Sequence, residues 1–203
     1  MTDVDARALR ADASRNRDML LAAATRAFAS AEAEPSMRAI ARDAGVGIAT
    51  LYRHFPTRES LVDAVYHDQV ARLTLGARDL LDQVPPAEAL RRWMDLFGDW
   101  LMTKHGMTDT LLAMIESGEI ALAHTRDELL DVITTILDAG RAAGDLRADV
   151  TAEDIAASLI GIFTVFGKPE QHAQASRLLN LLMDGLRYHE HRTADGEPRV
   201  RSG

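Results

Sequence analysis

The stretch SMRAIARDAGVGIATLYRHFPTRESL, residues 36–61, contains two short helix-forming segments on either side of a glycine. Ser36 is a good N-cap for the first segment, and Gly45 is expected to end it in the left-handed conformation that glycine adopts readily. After a turn of three or four residues, the second segment covers residues 47–55, about two helical turns. This spacing is typical of a helix-turn-helix, whose second helix can enter the major groove of DNA.

Side chains in this segment divide between a core side and an exposed side. Ile40, Val46 and Leu51 can form a shared core, while Ala41 is small enough for two helices to cross closely. The residues expected within reach of base edges begin the second helix: Ile48, Ala49 and Thr50. Those able to donate to the DNA backbone follow them: Tyr52, Arg53, His54 and Arg58.

Structural roles compete with these assignments at several positions. Phe55 is expected in the core rather than at the DNA. Tyr52 and His54 also fit a buried aromatic ring beside a hydrogen-bonded imidazole. Arg15 and Arg17 fit a solvated helix start as well as phosphate contacts, so we do not assign them to the site.

The remaining sequence has helical periodicity and no convincing strand, so we predict an all-α fold of about nine helices. An apolar stripe runs from Arg15 to Ala29, and Thr57 is expected to cap a long helix that ends near Leu81. Beyond the break at Pro85 and Pro86, helices are expected near residues 87–104, 107–118, 125–143, 151–166 and 170–189.

Charge is distributed unevenly along the chain. The net charge of −8 alone argues against a nucleic-acid partner, because phosphates attract cations. Residues 1–60, however, hold nine arginines against eight acidic residues, whereas residues 61–203 have a net charge of −9. Any surface that faces phosphates is therefore expected in the N-terminal part.

Composition excludes several classes of protein. The absence of cysteine excludes disulfides, thiolate zinc sites and cysteine nucleophiles, and it fits a cytoplasmic protein. Neither a secretory signal nor an apolar run of about 18 residues is present, so no membrane partner is expected. No catalytic motif is found, and His189 with His191 fits a solvated tail better than a metal site. We therefore predict a protein that is not an enzyme and has no cofactor.

Several fixed spacings resemble those of a known family. Gly45-Val46 precedes Thr50-Leu51-Tyr52, then His54-Phe55, and then Arg58-Glu59 with Leu61. In this combination, over roughly residues 14–64, the sequence resembles the TetR family of bacterial repressors. The resemblance implies base contacts from Ile48, Ala49 and Thr50 and a base or phosphate contact from Arg38. It implies phosphate contacts from a further set: Ser36, Tyr52, His54 and Arg58.

Two positions depart from the family pattern. Arg58 stands where lysine is usual and preserves the charge. Gly47 stands where a small hydroxyl side chain is common, which removes a possible contact and lowers helix propensity. Direct recognition would then depend on thymine methyl contacts, Thr50 and Arg38, with DNA shape contributing.

The resemblance also implies a C-terminal domain whose last two helices pair with a second subunit as a four-helix bundle. Apolar residues expected in that homodimer interface are Ile155, Leu159, Phe163, Leu178, Leu182 and Leu186. The alternative is that both helices only complete the core of a monomer. Ala157, Ser158 and Gly161 would allow close approach of the helices.

A ligand pocket is expected among the helices of residues 87–143, where bulky and adaptable side chains are concentrated. Its predicted apolar lining is Trp93, Met94, Phe97, Trp100, Met107, Leu111, Met114 and Ile115. Each of these also fits an ordinary core position. Possible polar anchors, each of which also fits a surface position, are Glu116, Glu119, His124 and Arg126.

The pattern of the C-terminal half resembles the SbtR-like subgroup of actinobacterial TetR regulators. We predict that the chain comprises a flexible arm (1–13), a TetR-type DNA-binding domain (14–64), a helical ligand-binding and dimerisation domain (65–190) and a flexible tail (191–203). We expect a repressor that binds palindromic operator DNA as a homodimer. A small apolar or amphipathic effector would release it by rotating the helix that begins at Thr57. The alternative is a helical ligand-binding or protein-interaction module without DNA function.

Overall fold

The computed structural model describes residues 3–30, 35–120, 122–166 and 171–187. Within these ranges the chain forms nine helices and no strand, which confirms the predicted all-α fold. The helices are α1 (Asp3–Ser30), α2 (Met37–Asp43), α3 (Ile48–His54), α4 (Arg58–Gln83), α5 (Pro86–His105), α6 (Thr108–Glu116), α7 (Leu122–Ala143), α8 (Ala152–Phe166) and α9 (His172–Leu186).

The largest difference from the predicted boundaries is at the start of the chain. Helix α1 begins at Asp3 rather than near Arg15, so most of the segment predicted as a flexible arm is helical. Its flexibility in solution stays a prediction. The predicted tail at 191–203 and the residues His189 and His191 lie outside the described residues. None of the described helices is long and apolar enough to cross a membrane.

Helix α4 joins the N-terminal helices to the rest of the chain. Thr57 caps it through two reciprocal hydrogen bonds of 3.2 Å. The Thr57 backbone N–H donates to the Ser60 hydroxyl, and the Ser60 backbone N–H donates to the Thr57 hydroxyl. One face of the helix is buried from Leu61 to Ala77, and it packs against α1 as well as α5, α6 and α7. The predicted domain boundary between residues 64 and 65 therefore lies inside a continuous helix.

A single hydrophobic core extends from α1 to α9. Trp93 of α5 lies fully buried in it, and its indole N–H donates to the Leu73 carbonyl of α4 at 3.0 Å. Burying large aromatic and aliphatic side chains in this way is the main favourable contribution to folding. This core fixes the position of α4 and α5 relative to each other.

The end of α5 contacts the N-terminal part of the chain at a glycine. A Cβ atom at Gly106 would lie 1.8 Å from the Phe28 carbonyl oxygen of α1, so only glycine allows this approach of the two backbones. Helix α1 packs along α5 more widely. The N-terminal helices are thus in direct contact with the C-terminal helices at a second place besides α4.

Candidate nucleic-acid interface and ligand cavity

The predicted helix-turn-helix is formed by α2 and α3. The Ser36 hydroxyl accepts a 3.2 Å hydrogen bond from the backbone N–H of Ala39, which confirms its N-cap role. Gly45 has φ +68°, the left-handed conformation expected at the end of α2. The next N–H, from Val46, donates to the Ala41 carbonyl at 3.0 Å and closes the turn.

The buried side of the motif is made of the residues expected there. Ile40 and Leu51 are fully buried, Ala41 is buried between the helices, and Val46 packs against this core while half-buried. Phe55 is also buried, so its structural role is confirmed. These contacts fix how the outer surface of α3 is presented.

The outer surface of α3 is formed by Ala49, Tyr52 and Arg53, which lie three and four residues apart and are all exposed. Tyr52 is 48% exposed, which excludes the buried alternative for this ring in the unbound chain. Thr50 and His54 lie half-buried beside this surface. This face presents a phenol, a guanidinium and a small side chain to solvent.

The remaining predicted contacts differ in accessibility. Arg38 of α2 is exposed, whereas Ile48 is half-buried and packs against the core of the domain. Ser36 is exposed, but its hydroxyl oxygen already accepts from the backbone of α2. The structure therefore places Arg38, Ala49 and Tyr52 in the open and leaves Ile48 with less surface for a base.

Arg58 has a structural role that the sequence pattern did not indicate. Its Nη1 donates to the Pro35 carbonyl at 2.7 Å, and its guanidinium carbon lies 5.8 Å from the centroid of the Phe28 ring. The side chain is half-buried and joins the start of α4 to α1 and to the segment before α2. A phosphate contacted by Arg58 would have to bind a guanidinium that also contacts Pro35 and Phe28.

Several arginines of α1 make contacts within the chain. Arg26 pairs with Asp43 of α2 at 2.8 Å, Arg15 pairs with Asp12 on the helix surface, and the Arg17 guanidinium lies over the Phe55 ring. The pair with Asp43 neutralises an acidic group at the end of α2. The positive charge that remains free of carboxylates on α2 and α3 belongs to Arg38, Arg42 and Arg53, within the described residues.

The second candidate site is a cavity of about 550 Å³ enclosed by α4, α5, α7 and α8. The side chains of α4 and α5 that line it are Tyr66, Phe97, Trp100, Leu101 and Lys104. Those of α7 are Thr125, Arg126, Leu129, Leu130 and Ile133, and those of α8 are Glu153, Ala156, Ala157 and Ile160. Its size is within the range of small-molecule sites, and its walls are mainly apolar.

Only two of the eight predicted ligand contacts, Phe97 and Trp100, line this cavity. The other six pack into the core, the alternative left open for each of them: Trp93, Met94, Met107, Leu111 and Met114 are buried, and Ile115 is half-buried against them. Of the four possible polar anchors, Arg126 lines the cavity, whereas Glu116, Glu119 and His124 are exposed elsewhere. Lys104 and Tyr66 also line the cavity, but the sequence pattern did not indicate them as ligand contacts.

Two polar side chains in the cavity wall are joined by a hydrogen bond. The Tyr66 hydroxyl donates to the Thr125 hydroxyl at 2.9 Å, and this contact joins α4 to α7. Burial raises the pKa of Tyr66 above its ordinary value, while the bond to Thr125 opposes the change. Tyr66 is thus a neutral phenol whose hydroxyl group already donates a hydrogen bond within the protein.

Lys104 is the basic group that α5 contributes to the cavity. Its Nζ lies 5.3 Å from the centroid of the Trp100 ring, a cation–π contact. Burial lowers the pKa of Lys104 below its ordinary value. Within the described residues, no carboxylate lies within ion-pair distance of this ammonium group.

Helices α8 and α9 carry an exposed apolar face. Its most exposed members are Ile160 at 52%, Val165 at 61% and Leu181 at 66%. Four predicted interface residues lie elsewhere, because the chain's own core already buries them: Ile155, Leu159, Phe163 and Leu186. The other two, Leu178 and Leu182, are half-buried at the edge of the exposed face.

Comparison with known proteins agrees with this architecture. Residues 20–65 match the family model of bacterial regulatory proteins, tetR family. Residues 85–188 match the model of the SbtR-like transcriptional regulator C-terminal domain. The chain belongs to the TetR family of transcriptional regulators. Members of this family are regulators rather than enzymes, and no curated protein matches the sequence.

Solved TetR-family structures resemble the chain over nearly its whole length. A TetR transcriptional regulator from Streptomyces coelicolor is 46% identical, with 84% of this chain and 98% of that chain covered at a TM-score of 0.78. One from Mycobacterium vanbaalenii is 36% identical, with 89% and 99% covered at a TM-score of 0.70. A structure described as the molecular basis for hormonal control of antibiotic production is 25% identical, with 85% and 97% covered at a TM-score of 0.62.

Proposed function

We propose that this TetR-family protein is a repressor that binds palindromic operator DNA as a homodimer and is released by a small-molecule effector. The observation that carries the proposal is the continuity of α4, which begins beside the helix-turn-helix and contributes Tyr66 to the cavity. Tyr66 is about 12 Å along the helix axis from Arg58, at 1.5 Å per residue. A change in the cavity can therefore alter the position of α3.

For DNA recognition, the exposed face of α3 would enter the major groove. Ala49 would contact thymine methyl groups and Thr50 a base edge, whereas Ile48 would contribute less because it packs partly on the core. Tyr52 and His54 would donate to phosphates, together with a smaller contribution from Ser36 and Arg58. Arg38 would contact a base or a phosphate from α2.

Dimerisation would bring two such helices to one operator. The exposed face of α8 and α9 provides apolar side chains at Ile160 and Leu181, and Ala157, Gly161 and Gly185 in that face would allow close helix approach. Two half-sites one helical turn apart, or a multiple of it, would then be required. The hormone-related structural relative supports a ligand-controlled mode of release.

The proposal is tested by a gel shift with the full chain and DNA from its own upstream intergenic region, at ~0.15 M salt with excess competitor DNA. We expect binding that resists the competitor. Tyr52→Phe and Arg38→Ala should each weaken it by roughly tenfold, since one good contact is worth about 1–3 kcal/mol. The matched control is Arg78→Ala, which removes the same charge from an exposed position on α4.

Each alternative result has a definite meaning. Equal weakening by Arg78→Ala would show that overall charge, rather than the α2–α3 face, determines affinity. If the protein binds neither the intergenic DNA nor any DNA in a selection from random genomic fragments, the repressor proposal fails. Thermodynamic linkage provides a further condition: operator DNA must lower effector affinity by the same factor as the effector lowers DNA affinity.

A further inference from the structure

The cavity combines apolar walls with a basic group that is paired with no carboxylate among the described residues. Lys104 is half-buried, and its ammonium group lies against the Trp100 ring rather than beside a carboxylate of the described residues. Removing a charge from water is costly unless an opposite charge or hydrogen bonds compensate. An aromatic face compensates only part of this cost. The site therefore favours a ligand that supplies a negative charge next to Nζ.

Other polar groups of the cavity are less suited to fix a ligand. Tyr66 and Thr125 already share a hydrogen bond. Arg126 and Glu153 are exposed, so water screens both charges. Because Glu153 is hydrated and Lys104 is partly desolvated, the ammonium group discriminates more strongly between ligand charges.

We propose that the cavity binds an amphipathic organic anion, with an apolar body against Phe97 and Leu129 and a carboxylate paired with the Lys104 ammonium group. This inference rests on the proposed role of the cavity as the effector site. A cationic ligand of the same shape would be repelled by Lys104, and a neutral one would leave the ammonium group unpaired. Ligand charge is therefore the property by which the cavity selects.

The proposal is tested with three probes of one chain length: decanoate, its methyl ester and decylamine. Binding to the full chain without DNA is measured by titration calorimetry and by tryptophan fluorescence, which reports on Trp93 and on Trp100 in the cavity wall. We expect decanoate to bind at least ~tenfold more tightly than methyl decanoate, corresponding to about 1.4 kcal/mol, and decylamine more weakly still. Folding of every variant is checked by circular dichroism and thermal unfolding.

Lys104→Met removes the charge and keeps the length of the side chain, so it should abolish the preference for decanoate over its ester. Lys104→Arg retains the charge and should preserve much of that preference. The matched control is Arg92→Gln, which removes one positive charge from an exposed position of the same helix outside the cavity wall. It should leave the preference unchanged. The acid-to-ester ratio isolates the head group from general apolar affinity.

Three results would overturn the inference: equal affinity for acid and ester, a preference that survives in Lys104→Met, or no binding of any probe. The gel shift separates these outcomes from failure of the proposed function. If wild-type protein binds its operator but shows no preference for decanoate, the regulator proposal stands and the anion inference fails. If decanoate binds through Lys104 but no DNA is bound, the anion inference stands and the regulator proposal fails.

Discussion

Arg58 connects three segments of the DNA-binding domain through one guanidinium group. It donates to the Pro35 carbonyl before α2, lies over the Phe28 ring of α1 and itself begins α4. A hydrogen bond from a charged donor typically contributes more than one between neutral groups. The residue is therefore a structural connector, whatever contact it makes with phosphate.

Arg58→Ala is expected to lower the free energy of unfolding by about 1–3 kcal/mol, because it removes a charge-assisted hydrogen bond and the packing on Phe28. Urea denaturation followed by circular dichroism measures the change. Arg53→Ala is the control, since it removes the same charge from an exposed position on α3 and should alter stability by less than about 0.5 kcal/mol. Equal stability of the two variants would contradict the structural role.

Single residues were predictable from the sequence where local chemistry determines their place. Ser36 and Gly45 follow from helix capping, and buried Phe55 follows from its position before a break. Lys104 was not predictable in this way. Its spacing along α5 is compatible with solvent exposure, and only the packing of α7 and α8 around Trp100 turns it into a wall of the cavity.

At the scale of helices, α5 connects the cavity to the N-terminal domain. It carries Trp100 and Lys104 in the cavity wall and ends at Gly106, against the backbone of Phe28. Under the proposed function, α4 and α5 are the two connections through which a bound ligand would alter the position of α2 and α3. The contact at Gly106 depends on tertiary approach, so the sequence indicated only the connection through the continuous helix α4.

The sequence predicted helix ends well where a breaker or cap was present. Thr57 and the Pro85-Pro86 pair define the ends of α4 and α5 nearly as expected. The start of α1 was missed because the apolar stripe begins only near Arg15, whereas the alanine- and arginine-rich segment before it continues the helix to Asp3. Six of the eight predicted ligand residues do not line the cavity, because periodicity cannot distinguish a core face from a cavity face. Their contact with a ligand stays a prediction.

The segment between α7 and α8 is tied to α9 by Arg147. Its backbone N–H donates to the Leu186 carbonyl at 2.9 Å, its side chain donates to the Gly185 carbonyl at 3.2 Å, and it pairs with Asp149 at 2.6 Å. The hydrogen bond from Arg147 lowers the pKa of Asp149 from 3.8 to about 2. Ionised Asp149 therefore favours the folded chain.

Because the folded-state pKa of Asp149 lies below its ordinary value, its stabilising contribution is present above about pH 4 and is lost as the pH falls toward about 2. Asp149→Asn should therefore reduce the fall in melting temperature between pH 4 and pH 2. Thermal unfolding across this range measures the effect. Asp79→Asn, at an exposed position on α4, is the control for removing a carboxylate elsewhere; an identical pH profile for both variants would contradict the role of the Arg147 pair.

At the scale of the whole molecule, the two predicted domains share one core and one helix. Core residues extend from Leu20 in α1 to Leu186 in α9, and α4 crosses the predicted boundary without interruption. The excess of acidic residues after residue 60 leaves the N-terminal part as the surface suited to DNA. Contacts between the parts therefore connect the less acidic N-terminal helices to the acidic helices that line the cavity.

The exposed apolar face of α8 and α9 predicts the oligomeric state. A symmetric dimer through this face buries two copies of Leu181, one from each subunit, and full burial of one such side chain contributes about 1.5–3 kcal/mol. Leu181→Glu would bury two uncompensated charges, so we expect sedimentation velocity to show a monomer where wild type is a dimer. The control is Leu75→Glu, at a position 58% exposed on α4 compared with 66% at Leu181.

This variant also separates dimerisation from recognition, because its α3 face is unchanged. A monomer would contact one half-site at a time, so operator affinity should fall steeply while binding to an isolated half-site remains. Leu75→Glu should keep both the dimer and the operator affinity. If Leu181→Glu is still a dimer, the interface does not lie on α8 and α9. A different surface would then determine the distance between the two α3 helices.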